Sequence, residues 1–407
     1  MKVKKIIVPL LFTIFLVAII IYPTQTYESA RNGLILWFNT IVPSLLPFFI
    51  GSSIVSSLGI TESISLLMQP IMKPLFNCPG SAAYVFIMSI TSGYPMGAKL
   101  TAKLVDEGKI NSVEAQRILS FSNTSGPLFM MAAVSVGMLH NPKLGVLIAL
   151  CHYLSAIFTG LIFRYYKKNE PGKFHIPSKG YPMLTQSLYV LYQHQLKRKE
   201  KLGELMSKSI QDSIQTMLMI GGYIILFAVI IQILQVTGMI SLVSALLSPI
   251  LWMLKIPNEI SYAMICGFFE ISTGCLSASQ ALVHTVFKVA MISAIIAWGG
   301  LSVHAQVLSI IQKCAINTKL YFTAKFIQAV LAFSFTYISL LFFYPDSHTV
   351  YLPIMHTVQQ TWRNTLTNSL SIYIINLFLL FTIGMIIRFF YRIKITKYFI
   401  ATTYMKK

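Results

Sequence analysis

The sequence predicts an all-α polytopic membrane protein made of two related halves, and three observations predict it. Hydrophobic residues fill 55% of the 407 positions and charged residues only 11%, with a mean hydropathy of +0.69. Apolar runs recur along the whole chain instead of forming one anchor beside a soluble domain. Runs interrupted by Gly and Pro return in similar order in the second half. Hydrocarbon offers no partner to a free N–H or C=O, so apolar segments of this length should be helical. Alternating strand patterns, the mark of an outer-membrane barrel, are not seen.

The formal charge is +20, from 32 Lys+Arg against 12 Asp+Glu. The basic residues stand mostly between or beyond apolar runs, where cytoplasmic loops concentrate them. The expected partner is therefore the lipid bilayer and not nucleic acid. The five cysteines (Cys78, Cys151, Cys266, Cys275, Cys314) form no CxxC or Cys/His pattern and read as small apolar helix residues. The sequence contains no GxxxxGK[ST], HExxH or GxSxG pattern. It therefore supports neither an ATP-driven pump nor a hydrolase, and we expect no enzyme, metal or organic cofactor.

Residues 1–23 carry a basic start (Lys2, Lys4, Lys5) and an apolar run over 6–22. No small-x-small cleavage site follows, so an uncleaved first membrane helix is expected rather than a signal peptide. Residues 24–165 form the first half. An amphipathic connector over 24–40 leads to an apolar run over 41–60, which Pro43 and Pro47 are expected to break. A mixed stretch with Pro70 and Pro74 follows, then a short apolar piece over 82–90. Asn111 with Glu114 three residues on reads as a capping box. The helix it opens is interrupted at Asn123-Thr124-Ser125-Gly126-Pro127, and residues 143–163 close the half with a full span.

Residues 166–208 read as a basic cytoplasmic linker ending in a surface helix, with the cluster Lys197-Arg198-Lys199-Glu200-Lys201 near its end. The second half, 209–345, has a span over 217–234, a piece over 239–254 broken by Pro249, and an apolar run over 260–279 containing Glu270 and Gly274. A run over 289–303 broken at Trp298-Gly299-Gly300 and a span over 320–343 complete it. Residues 346–407 hold an external loop, a last span over 370–390 and a basic tail.

The halves align weakly: Pro70-Ile71-Met72 with Pro249-Ile250-Leu251, Pro79 and Tyr84 with Pro257 and Tyr262, Gly93 near Glu270, and Gly126 with Gly300. The amino terminus, the linker and the carboxyl tail are the three most basic segments, which places all three in the cytoplasm. Each half then crosses an odd number of times, so the two lie in opposite orientations, the inverted-repeat plan of secondary transporters.

Broken helices at membrane depth are tolerated only inside protein or beside a wet cavity, so matching breaks point to a substrate site. Four breaks stand out. They supply Ser92, Gly93, Tyr94 and Lys99; Asn123, Thr124, Ser125 and Gly126; Glu270, Thr273 and Gly274; and Gly299, Gly300, Ser302 and Gln306. Small residues also let helices approach closely, which is the competing explanation. Glu270 is the sharpest of the set. A carboxyl at that depth costs ~2.5–3.5 kcal/mol on insertion scales and should face the interior. It could carry a proton, hold Na⁺, or make a structural hydrogen bond to a facing helix. Lys99 could meet an anion or snorkel to the interface, and His152 and His304 could relay protons or simply pack.

The runs Ser92-Gly93-Tyr94-Pro95-Met96-Gly97 and Asn123-Thr124-Ser125-Gly126-Pro127, with residues 270–274, resemble the sporulation integral membrane proteins of the nucleoside-recognition Gate domain family. The likeness covers nearly the whole chain, which would make the halves two Gate-like repeats with flanking membrane helices. It implies a spore-forming bacterium and movement of dipicolinic acid from the mother cell toward the forespore, across the outer forespore membrane. Dipicolinate is a flat aromatic dianion, which suits Lys99, the helix amino termini and the aromatic residues. The alternatives are a Na⁺- or H⁺-coupled nucleoside carrier and a non-transporting scaffold for envelope assembly. A homo-oligomer is compatible with the sequence, which is silent on coupling ion, stoichiometry and direction.

Overall fold

The computed structural model describes residues 2–343 apart from 171, 173–182, 199, 254–255 and 313. All of these belong to one unit, Met1–His348. The expected last span and basic tail lie outside the described residues. Among the described residues every regular element is helical. In the first half these are α1 (Lys2–Ile21), α2 (Pro23–Leu36), α3 (Val42–Ser57), α4 (Ile60–Phe76), α5 (Ser81–Ser92), α6 (Met96–Asp106) and α7 (Ser112–Ser122). A π-helical segment, Phe129–Met138, and α8 (Pro142–Phe163) follow, then α9 (Met183–Lys197) in the linker. The second half holds α10 (Leu202–Val236), α11 (Met239–Met253), α12 (Ser261–Phe269), α13 (Ile271–Gln280), α14 (Thr285–Trp298), α15 (Gly300–Ile311) and α16 (Thr318–Phe343).

Four described stretches are long and apolar enough to cross a bilayer: Pro142–Phe163, Leu202–Val236, Thr285–Ile311 and Thr318–Phe342. A fifth, Pro9–Ile21 with Pro23–Asn39, is bent by 102° at its break. The chain is an all-helical, multi-pass membrane protein.

Local chemistry sets the helix ends. Asn111 and Glu114 form the expected capping box, exchanging bonds of 2.8 and 2.9 Å. Asn141 caps α8, with Pro142 in the first turn where its missing N–H costs nothing. Two expectations are corrected. Pro47 and Pro249 lie inside helices and do not end them, as Pro70 and Pro74 also lie inside α4. A membrane helix can re-satisfy the one carbonyl that each proline frees. The span expected at 217–234 begins at Leu202, within the segment assigned to the linker, and α10 runs about 50 Å. The linker's surface helix is α9, which packs on α4.

The two halves repeat one order of elements. α5, break, α6, α7, break, π segment and α8 match α12, break, α13, α14, break, α15 and α16. Contacts between them are reciprocal: α6 meets α15 as the π segment meets α13, and α7 meets α16 as α14 meets α8. The partners α8 and α16 lie against each other, and α10 packs on α2 and α3. Ser29 Oγ donates to Ala228 O at 2.8 Å and Trp37 Nε1 to Met217 O at 3.0 Å, tying the α2 segment to α10.

Arg117, 1% exposed, closes the carboxyl ends of two helices. It donates to Asn77 O at 2.7 Å, beyond α4, and to Tyr166 O and Lys167 O at 2.8 Å, beyond α8. A cation there answers the negative end of each helix dipole. Arg117→Met should therefore strand these carbonyls and cost about 3 kcal/mol. A melting temperature in detergent equal to wild type would show that the guanidinium contributes nothing.

Candidate functional site

A break stands at each predicted place. In the second half each is a single residue, Glu270 or Gly299, so that Thr273 and Gly274 lie in α13 and Gly300, Ser302 and Gln306 in α15. In each half the two breaks cross. α5 ends because Gly93 takes φ +78°, which an L side chain rarely adopts. A Cβ on Gly93 would stand 2.8 Å from the Gly126 nitrogen, so the breaks of the first half meet backbone to backbone. In the second half Gly300, at φ +75°, does the same against the α12–α13 break: a Cβ there would lie 3.0 Å from Phe269 O and 3.1 Å from the Glu270 backbone. The same type of contact is thus built twice, once per half.

Between the crossings lies a cavity of about 580 Å³, its open mouth included. The first half contributes Gly93, Tyr94, Ser125 and Gly126, and the second Glu270, Ser272, Ser302 and Gln306. Ile41, Leu45, Phe129, Ile220, Ile224, Ile271 and Val303 supply an apolar wall that the sequence reading did not assign.

Glu270 is 2% exposed and lies between α12 and α13 in extended conformation. Its Oε2 accepts from Thr273 N at 2.7 Å, so the carboxylate is the amino-terminal cap of α13. That explains how the group is held at depth: the free N–H groups of α13 supply positive potential. Thr273 acts through its backbone, and Gly274 packs closely on Gly267.

Several expected residues sit behind the cavity or are tied to residues behind it. Asn123 Nδ2 donates to Tyr321 Oη at 3.0 Å, and Thr124 N to Ser89 Oγ at 3.2 Å. Ser125 N donates to His152 Nε2 at 3.1 Å, while the buried Ser92 hydroxyl has no hydrogen-bond partner. Gly299 faces the Tyr94 ring and starts α15. Lys99 does not line the cavity. Its Nζ donates to Thr216 Oγ1 at 2.8 Å and more weakly to Asp212 O, linking α6 to α10. Trp298 stacks on Phe268 and meets His304 edge-on, away from the cavity lining.

The residue that sequence reasoning missed is Lys325, fully buried in α16. Its Nζ donates to Gln328 Oε1 at 2.6 Å, Asn123 O at 2.9 Å and Tyr94 Oη at 3.0 Å. Tyr94, which lines the cavity, therefore stands between it and the ammonium. Tyr321 Oη also pairs with His304 Nδ1 at 3.1 Å. The signal was present: an ionisable residue in an apolar span is a functional candidate by the rule that singled out Glu270. Tyr321, Lys325 and Gln328 also share one helix face at i, i+4 and i+7.

The family profile described as nucleoside recognition, the Gate domain, matches residues 38–160. The chain is 35% identical over 334 residues to the sporulation integral membrane protein YlbJ of Bacillus subtilis (strain 168), covering 81% of each protein.

The glycine crossing makes a graded prediction. Gly93→Ala meets both a positive φ and a 2.8 Å backbone contact, whereas Gly126→Ala meets only contacts of 3.3 Å and longer. The first should cost about 2 kcal/mol or more and the second about 1 kcal/mol or less. Detergent melting curves of the two variants check the order, and equal losses would contradict it.

Proposed function

We propose a transport function from this premise: the chain belongs to the family of the sporulation integral membrane protein YlbJ. The observation that carries the reading is one cavity bordered by kinked, polar backbone from both halves, in a protein whose helices are otherwise apolar. Irregular backbone at membrane depth is stable only beside protein or water, and carriers place their substrates at such sites. The reciprocal contacts of α6, α7, α8 and their counterparts support a two-fold relation, and with the charge distribution they favour halves inserted in opposite orientation, both termini in the cytoplasm.

A small aromatic anion suits the cavity. Ring faces can lie on the Ile220, Ile224 and Phe129 wall. Carboxylates can take backbone N–H groups at the amino termini of α6 and α15, which no side chain caps, whereas that of α13 is held by Glu270. Dipicolinate has this shape, and a relative named for sporulation is consistent with its movement across the outer forespore membrane. The buried Glu270 carboxylate would take part in the cycle from the cavity wall. A second reading has one observation in its favour. The profile matching residues 38–160 is described as nucleoside recognition, and a cavity carboxylate suits the hydroxyls of a neutral sugar.

Uptake of labelled dipicolinate into vesicles of purified protein tests the assignment, with unlabelled nucleosides as competitors. Wild type should accumulate dipicolinate. Glu270→Gln should lose about tenfold or more of the rate, equivalent to roughly 1.4 kcal/mol, at unchanged membrane yield. Nucleoside uptake without dipicolinate uptake would move the assignment to the second reading. Full activity of the Gln variant would remove Glu270 from the cycle.

A further inference from the structure

The Lys325 ammonium lies where two interrupted helices end. α7 stops at Ser122 and α14 at Trp298. Each leaves last-turn carbonyls without intrahelical partners, and these ends carry the negative pole of the helix dipole. Asn123 O, at the end of α7, accepts directly from Lys325 Nζ. The carbonyls of Ile296 and Ala297, at the end of α14, accept from Tyr94 Oη at 3.1 and 3.4 Å, and that same oxygen accepts from Lys325. Gln328 Oε1 completes a set of three neutral oxygens around the nitrogen.

Carriers with discontinuous helices coordinate their coupling cation with this kind of set: unwound carbonyls and half-helix carboxyl ends. An ammonium has three N–H donors, and all three are used here. No donor is left for a substrate carboxylate, and no room is left among these oxygens for a metal ion. We propose that Lys325 is a tethered cation standing in the coupling-ion position of this protein, so that its transport cycle is independent of sodium and linked to protons. The inference rests on the carrier reading of the same site.

The chemistry of the exchange is simple. The ammonium releases one proton to water reached through the cavity and becomes an amine, and it regains a proton from the opposite side. Loss of the charge leaves the two helix ends uncompensated, which favours a different packing of α7 and α14 against α16. Other titratable groups face the same place. α8 brings His152 and Tyr153, α15 brings His304, α16 brings Tyr321, and Tyr94 stands toward the cavity with Glu270 beyond it. His152 and His304 both lie within electrostatic reach of Lys325, and His152 Nδ1 and His304 Nε2 have no partner. α7 and α14 add no competing charge there: Arg117 is engaged by carbonyls, Glu114 accepts from Asn111 N at the far end of α7, and Lys288 Nζ donates to Ser279 O at 2.9 Å.

Two measurements on the full-length protein test this. The first needs no substrate: labelled sodium binding and thermal stability of the wild type in sodium chloride against choline chloride. No specific sodium binding and no sodium-specific shift are expected. Saturable sodium binding or stabilisation by the wild type overturns the inference, whatever the substrate proves to be. The second is dipicolinate uptake in vesicles with sodium replaced by N-methylglucamine. The rate should hold within about twofold, while collapsing a one-unit pH gradient should lower accumulation by up to about tenfold for one coupled proton. Lys325→Met should lose that response to the gradient, and a fully retained response overturns the assignment. If Lys325→Met does not insert, the wild-type sodium and gradient results decide. Absence of dipicolinate uptake under every condition instead counts against the carrier reading, and the sodium-binding result stands apart from it.

Discussion

A helix that stops inside an apolar protein leaves its terminal carbonyls and N–H groups without water, and the rest of this structure is arranged around partners for them. The carboxyl ends receive cations or hydroxyls. Arg117 takes the ends of α4 and α8, and Lys325 with Tyr94 takes those of α7 and α14. The amino ends receive carboxylates: Glu114 at α7 and Glu270 at α13. Each of these groups is costly to bury alone, and each is placed where a helix dipole offsets part of that cost. The few charges buried in the described core thus mark helix ends.

The crossings of the breaks follow from a second constraint, the thickness of the backbone itself. Two unwound segments can touch only where no Cβ intervenes, which selects Gly93 against Gly126 and Gly300 against the backbone of Glu270. Beside the crossings each break region leaves a polar residue on one shared space, Tyr94, Ser125, Glu270 and Ser302 among them. Long helices on either side, α10 from the second half and α3 from the first, add the apolar wall. The same geometry that seals the crossings therefore leaves the cavity between them.

The shared order of elements has a consequence for the ends of α7 and α14. They are counterparts in the two halves, and their carboxyl ends reach the same Lys325–Tyr94 pair, one directly and one through the phenol. Lys325 itself comes from α16, the counterpart of α8, where His152 serves Ser125 N. The site is thus symmetric in backbone and asymmetric in chemistry: of this helix pair, α16 presents the cation and α8 the imidazole.

Much of this was legible in the residues. Low charge, recurring apolar runs and the Gly/Pro interruptions at 93–97, 123–127, 270–274 and 299–300 determined a helical membrane protein with breaks at matching places, because hydrocarbon leaves a chain of this composition no other regular structure. The capping box at Asn111 was equally readable, since it depends on residues three apart. Pro47 and Pro249 misled, because whether a proline ends a membrane helix depends on neighbours that local sequence does not contain. Lys99 and Lys325 show the same limit from both sides. Sequence proximity to a break favoured Lys99, yet its amine turns to Thr216, while Lys325, some 200 positions from Asn123, supplies the central cation. Sequence alone determined that the chain is helical and membrane-spanning and where its four breaks fall. Only the tertiary structure decided which polar groups meet, because a buried charge goes to the helix ends that can receive it, and those come from distant parts of the chain.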